Sequence, residues 1–268
     1  MSRRLIMLGT GHATVTRCYN TCFLIDNDGQ KLLVDAGGGN GILTRLEQSH
    51  VDIREIGGVF VTHAHTDHLL GVVWVIRKAI ADMLNTGKSR ILDIYCPEKC
   101  AEMLRYICAN TLFSGYLTLF DKCINFVEID DSSRFSCAGI ELTAFDVHSD
   151  KIEQLGFKAV FSDGFTLICA GDEPVHDICA KYIRGCDMLM CEAFCLDRDA
   201  EIFRPYQKHH STAHDAAIKA DELCVKALLL YHTEDSDLKN RKENYSNEAR
   251  TYFSKKIFVP DDLDVIEF

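Results

Sequence analysis

No apolar run in this sequence approaches the length of a transmembrane helix, so a helical membrane span is not expected. The basic start Ser2-Arg3-Arg4 leads only into Leu5–Leu8 before Gly9-Thr10-Gly11 closes the run. That is too short for the apolar region of a secretion signal, and the expected address is the cytoplasm. Positive charge is scarce: 29 Lys and Arg stand against 40 Asp and Glu, a formal net charge of −11. This balance argues against a broad basic surface gripping nucleic acid by its phosphates, although bound dications would make a cleft locally positive. No internal repeat, low-complexity tract or Pro/Gly-rich linker interrupts the chain, so residues 1–268 are expected to form a single domain. Thirteen cysteines without an export signal are expected to be reduced thiols. The pairs Cys18/Cys22, Cys96/Cys100 and Cys191/Cys195 are spaced more loosely than a Cys-x-x-Cys knuckle. Buried small hydrophobes are the expectation for them, a further zinc or redox site being the alternative.

What is present is concentrated in Thr62-His63-Ala64-His65-Thr66-Asp67-His68, directly after the apolar run Gly58–Val61. His63 and His65, two apart at a strand end, can turn toward one metal ion, and the adjacent Asp67 and His68 toward a second. Apolar residues from Leu69 to Leu84 recur at helical spacing, so a helix follows this loop. Strands are expected at Leu5–Leu8, Cys22–Ile25, Lys31–Val34, Ile91–Cys96, Ile124–Ile129, Ile140–Val147 and Ala227–Tyr231. A hairpin of Lys158–Ser162 and Phe165–Ala170 would turn at Asp163-Gly164. Ser211 is expected to cap a helix running through Leu223. Strands followed by helix in both halves predict an α/β protein of two packed sheets with helices outside. Three further polar residues, His148, Asp172 and His232, stand just past apolar strands, where a sheet delivers side chains to a shared edge.

Taken together, these motifs resemble a metallo-β-lactamase-fold hydrolase, and within that superfamily the ribonuclease Z branch of tRNA 3'-processing endonucleases. The similarity runs from Leu8-Gly9-Thr10-Gly11 to His232. It includes Arg17 and Asn20, Asp35 at a strand end, Ala170-Gly171-Asp172, and His210-Ser211-Thr212 before an alanine-rich helix. Cys191-Glu192-Ala193-Phe194 resembles the branch's His-Glu-Ala-Thr box with its first and last residues replaced.

The resemblance implies a four-layer αββα sandwich of two mixed sheets. It implies one metal on His63, His65 and His148, and another on Asp67, His68 and His232, with Asp172 bridging. Glu192 and His210 would handle protons, with Asp67 also orienting the nucleophile. Two divalent cations would lower the pKa of a shared water from 15.7 toward roughly 7. Zn2+ suits the imidazole-rich set best, with Mn2+ or Fe as alternatives. The implied substrate is a phosphodiester in RNA, a tRNA precursor, and the implied assembly a homodimer; membranes are not expected partners. Arg17, Arg204 and Lys208 are candidates for phosphate contact. Two features depart from the branch. Only 23 residues separate His148 from Asp172, which leaves no room for the branch's long substrate-gripping arm. Thr233-Glu234-Asp235 follows His232, and these acids would repel a phosphate. A small-molecule hydrolase of the same fold, acting on a cyclic nucleotide, lactone or other ester, is therefore the alternative.

Overall fold

The computed structural model describes residues 3–268. Its strands fall into two seven-stranded sheets. The first contains β1 (Arg3–Gly9), β2 (Cys22–Asn27), β3 (Gln30–Val34), β4 (Ile56–Phe60), β5 (Leu92–Cys96) and β6 (Ile124–Glu128). The second contains β7 (Arg134–Cys137), β8 (Ile140–Asp146), β9 (Leu155–Val160), β10 (Thr166–Cys169), β11 (Met188–Glu192), β12 (Ala227–Tyr231) and β13 (Lys256–Phe258). The last strand, β14 (Val265–Glu267), returns to pair with β1. Both sheets are mixed: β1–β3 and β7–β10 are joined by antiparallel pairs, whereas β3–β6 and β10–β13 are joined in parallel.

Eight helices complete the layers among the described residues: α1 (Gly41–Gln48), α2 (Thr66–Thr86), α3 (Glu98–Thr111), α4 (Ser114–Cys123), α5 (Ala180–Ile183), α6 (Ala200–Phe203), α7 (Ala213–Glu222) and α8 (Leu238–Arg250). Alternate residues of a strand point to opposite faces, so each sheet feeds two cores. Leu5, Met7, Phe23 and Phe60 of the first sheet meet Phe157, Leu167, Met190 and Leu229 of the second between the sheets. The opposite faces pack against α1–α4 on one side and against α5, α7 and α8 on the other. The result is the αββα sandwich of a metallo-β-lactamase fold. No helix among the described residues is long and apolar enough to cross a membrane.

The expected strands, the long helix and the Asp163-Gly164 hairpin are present. The cap of α7 differs from expectation. Thr212, not Ser211, accepts from the Asp215 amide and closes a capping box with the Asp215 carboxylate. Ser211 is free for another task, described below. The cysteines are all unpaired; Cys22, Cys96, Cys100 and Cys191 are buried among apolar side chains, and Cys195 is also buried.

Candidate metal centre

The parallel strands β4, β10, β11 and β12 end at one edge of the sandwich, where open α/β sheets place their ligands. β4 ends at Phe60, and the chain crosses the edge to enter α2, whose N-cap position is His65 and whose first turn carries Asp67 and His68. Asp35, one residue beyond β3, is buried and sits at φ 54°. Its carboxylate accepts from the Thr62 amide (2.8 Å) and hydroxyl (2.8 Å), and His68 Nδ1 lies 2.7 Å away. With its proton committed to Asp35, the Thr62 hydroxyl can only accept at its 2.9 Å contact with His63 Nδ1. The Nδ1 side of both imidazoles is thereby committed, so that Nε2 is the atom each turns toward the site, the orientation metal ligation requires.

The ligand atoms of His63, His65 and Asp172 lie within 4.8 Å of one another, and so do those of Asp67, His68 and His232. Asp172 stands between the trios. Its Oδ1 is 3.7 Å from His63 Nε2, while its Oδ2 is 3.6 Å from His68 Nε2 and 3.5 Å from His232 Nε2. The Nε2 atoms of His68 and His232 are buried without a hydrogen-bond partner. An unsatisfied buried polar atom costs about 1–3 kcal/mol, and a cation would satisfy both. Imidazoles and carboxylates facing one another in two clusters suit two divalent ions of borderline softness.

His148 is not brought into either cluster. Its left-handed backbone (φ 61°) turns the ring outward, where Nδ1 lies 3.2 Å from Asp146 Oδ2 and the side chain is 43% exposed. Inside the site, Gln154 is fully buried, and its Nε2 donates to Asp172 Oδ1 over 2.5 Å. Left-handed Gly171 (φ 74°) permits this, because a Cβ there would lie 2.4 Å from the Gln154 amide nitrogen. Nothing in the sequence flags Gln154, whose role depends on the pairing of residues 63 and 154 across the two sheets.

Ser211 spends its amide and hydroxyl on Glu192 Oε1, both at 2.6 Å. The other carboxylate oxygen faces His210 Nδ1 at 3.6 Å. Phe194, where the resembled box carries threonine, stacks on the His210 ring at 4.8 Å and 14°, and its ring centre lies 4.5 Å from that of His12. His12, Phe194 and His210 line a cleft of about 460 Å³ together with Ala13, Thr14, His65, Asp67, Lys151, Asp172, Lys208 and His232, with Glu192 and Ser211 behind them. His12 and Lys151 escaped the sequence reading; a histidine directly after Gly9-Thr10-Gly11 was the available signal for the first.

Electrostatics divides the site. Burial pushes the His63 imidazolium well below its ordinary range, and burial, then His232 and Lys208, lowers His12 to about 4. Burial also opposes charge on His68, but the Asp67 and Asp35 carboxylates outweigh it and raise that group well above its ordinary value. Burial likewise disfavours the Asp172 carboxylate, which His63, His68 and His232 nevertheless hold well below the carboxylate range. Asp235 does not face the cleft as a free acid. One of its oxygens caps the amides of Thr16 (2.7 Å) and Arg17 (2.8 Å), while the Arg17 guanidinium donates to the Ser236 carbonyl at 2.9 Å.

Known proteins share this fold. The chain is 26% identical to a ribonuclease Z of Thermobifida fusca (strain YX), over 98% of this chain and 93% of the relative. The structure of the metallo-β-lactamase-fold protein YhfI from Bacillus subtilis superposes with a TM-score of 0.79 at 17% identity, covering all of both chains. Human tRNase Z, short form, gives 0.72 at 21% identity, covering 98% of each. The chain is a hydrolase of the metallo-β-lactamase fold. The family model described as anti-Pycsar protein Apyc1 matches residues 3–250, and the chain belongs to that family.

Proposed function

We propose that the protein is a two-metal phosphodiesterase whose substrate is a small phosphodiester such as a cyclic nucleotide. The observation that carries this reading is Asp172, whose two oxygens each face a separate ligand cluster, in a cleft of about 460 Å³. Cavities of this order suit a mononucleotide-sized ligand. The segment between His148 and Asp172 is a short loop and the β9–β10 hairpin, so no long arm extends the surface for a folded RNA.

His63, His65 and Asp172 would hold one cation, and Asp67, His68 and His232 the other, with His148 leaving Asp146 to complete the first set. Bound divalent cations supply Lewis acidity at the phosphoryl group and hydroxide at neutral pH. His210 delivers a proton from Nε2 to the departing oxygen, because its Nδ1 is turned to Glu192. Ser211 locks Glu192 through two short hydrogen bonds, so the acid keeps its orientation. Asp67 orients the attacking oxygen from its place in the first turn of α2. The same Glu192–His210 contact favours cleavage of a precursor tRNA at its 3' end as a second reading, and a homodimer accompanies both by resemblance. The unpaired state of all thirteen cysteines supports a reducing, cytoplasmic address.

The test offers zinc- or manganese-loaded protein a 3',5'-cyclic nucleotide and, separately, a 3'-extended precursor tRNA, with His63→Ala as control. Ring opening of the cyclic nucleotide, lost in the control, is expected. A single cut beside the tRNA acceptor stem with no action on the cyclic nucleotide would transfer the assignment to the nuclease reading. Elemental analysis is expected to find two metals per chain after loading, and fewer than one would sink the two-metal mechanism.

A further inference from the structure

Within the residues lining the cleft, Lys151 and Lys208 are the only lysines or arginines, and they share it with Asp67 and Asp172. The two are held very differently. Lys208 lies on an exposed turn with its ammonium 4.7 Å from the Phe194 ring centre. Lys151 is fixed from below by Glu173, whose side chain is only 2% exposed, through a 2.9 Å ion pair to Oε1. The same oxygen accepts from the Ser149 hydroxyl at 2.7 Å, and that hydroxyl in turn accepts from the Lys151 amide at 3.1 Å. Ser149, Lys151 and Glu173 therefore form a closed ring of contacts that ties the loop after β8 to the residue following Asp172.

A buried ion pair of this kind is weak evidence for stability, because desolvation offsets much of the attraction. Its effect is geometric: a flexible four-carbon side chain is restricted to one place at the wall of the cleft. The ammonium has three hydrogens. One is directed at Glu173 and a second at the Lys208 carbonyl, 3.5 Å away. The third is left for a ligand in the cleft.

We propose that Lys151 is the phosphate-binding residue of this cleft, donating to a non-bridging oxygen of the substrate, and that Glu173 is the positioning residue that holds it there. The proposal rests on the phosphodiesterase reading and names the group that recognises the anion's charge. Such a contact forms with substrate and transition state alike, so it acts on KM more than on kcat.

The experiment uses metal-loaded full-length protein and two readouts: binding of inorganic phosphate by calorimetry, and kcat and KM on a 3',5'-cyclic nucleotide. Lys151→Met would leave Glu173 buried and unpaired, so the double variant Lys151→Met/Glu173→Gln is made beside it. Both are expected to weaken phosphate binding roughly tenfold and raise KM similarly, with kcat within a few-fold and metal content unchanged. Lys151→Arg should recover part of the affinity. Glu173→Gln alone keeps the charge but frees it, and should fall between. Wild-type phosphate affinity in either Met-containing variant overturns the proposal. So does a loss that tracks metal content and is cured by added metal. Phosphate binding reports on Lys151 even if no phosphodiester is cleaved, which separates failure of this proposal from failure of the reaction assignment.

Discussion

Asp35 binds nothing that reacts, yet three contacts converge on its carboxylate and set the direction of two imidazoles. Replacing it with Asn keeps the volume but removes the charge and puts a donor where an acceptor is needed. Asp35→Asn is expected to lower metal affinity by about 10–100-fold, read by competition with a chromogenic chelator, while circular dichroism stays native. His12 makes a second prediction at this scale. Its folded-state value of about 4 lies below the ordinary 6.5, so the unfolded chain takes up the proton first. The contribution to stability is whole above pH 6.5 and is lost as pH falls toward about 4. Denaturant unfolding of metal-free protein should show that loss, and His12→Asn should flatten it; an unchanged slope would count against the neutral, buried imidazole.

Among the elements, α2 matters most to the site, because Asp67 and His68 ride on its first turn. It packs backbone to backbone against the loop after β3. A Cβ on Gly71 would lie 1.8 Å from the Ala36 carbonyl oxygen, and the Gly71 amide donates to the Gly37 carbonyl at 2.7 Å. Gly71→Ala is therefore expected to destabilise by about 1–3 kcal/mol and, by displacing the helix, to weaken metal binding as well. Thr212→Ala, at the cap of α7, should cost about 1 kcal/mol, measured by urea unfolding, with metal content unaffected. These elements also show what was legible in the sequence. α2 could be read from its 3.6-residue apolar period, and the metal loop from the clustering of its ligands. α3, α4 and α8 are not legible there; α8 buries only Arg241, Tyr245 and Ala249 and, Leu238 apart, is otherwise polar, so it carries little periodic signal. The cap was assigned one residue early because Ser211 and Thr212 are equivalent cap formers. The packing of Ser211 against Glu192 and the Asp215 carboxylate three residues after Thr212 distinguish them. His148 had the right strand-end placement, but its left-handed backbone and the Asp146 partner direct the ring outward, and neither is visible in a linear pattern.

At the scale of the whole molecule, the thiols provide a check on packing. Only Cys224 is exposed and Cys18 half-buried, while the remaining cysteines are buried, with thiols such as Cys96 and Cys108 pushed up to about 12 by burial. One fast-reacting thiol is expected with Ellman's reagent in native protein, absent from Cys224→Ser, with the others released only on unfolding. Since one apolar layer is built from both sheets, that release should be a single cooperative event, as expected for one domain. The donors of the metal centre are likewise divided: His63, His65, Asp67 and His68 follow the first sheet, whereas Asp172 and His232 follow the second. Separating the sheets therefore requires breaking coordination at the edge, and cations seated there would act as a clasp. The lifetime of the loaded protein in denaturant would then follow how slowly it surrenders its ions, and a chelator would shorten it long before equilibrium stability registered the change.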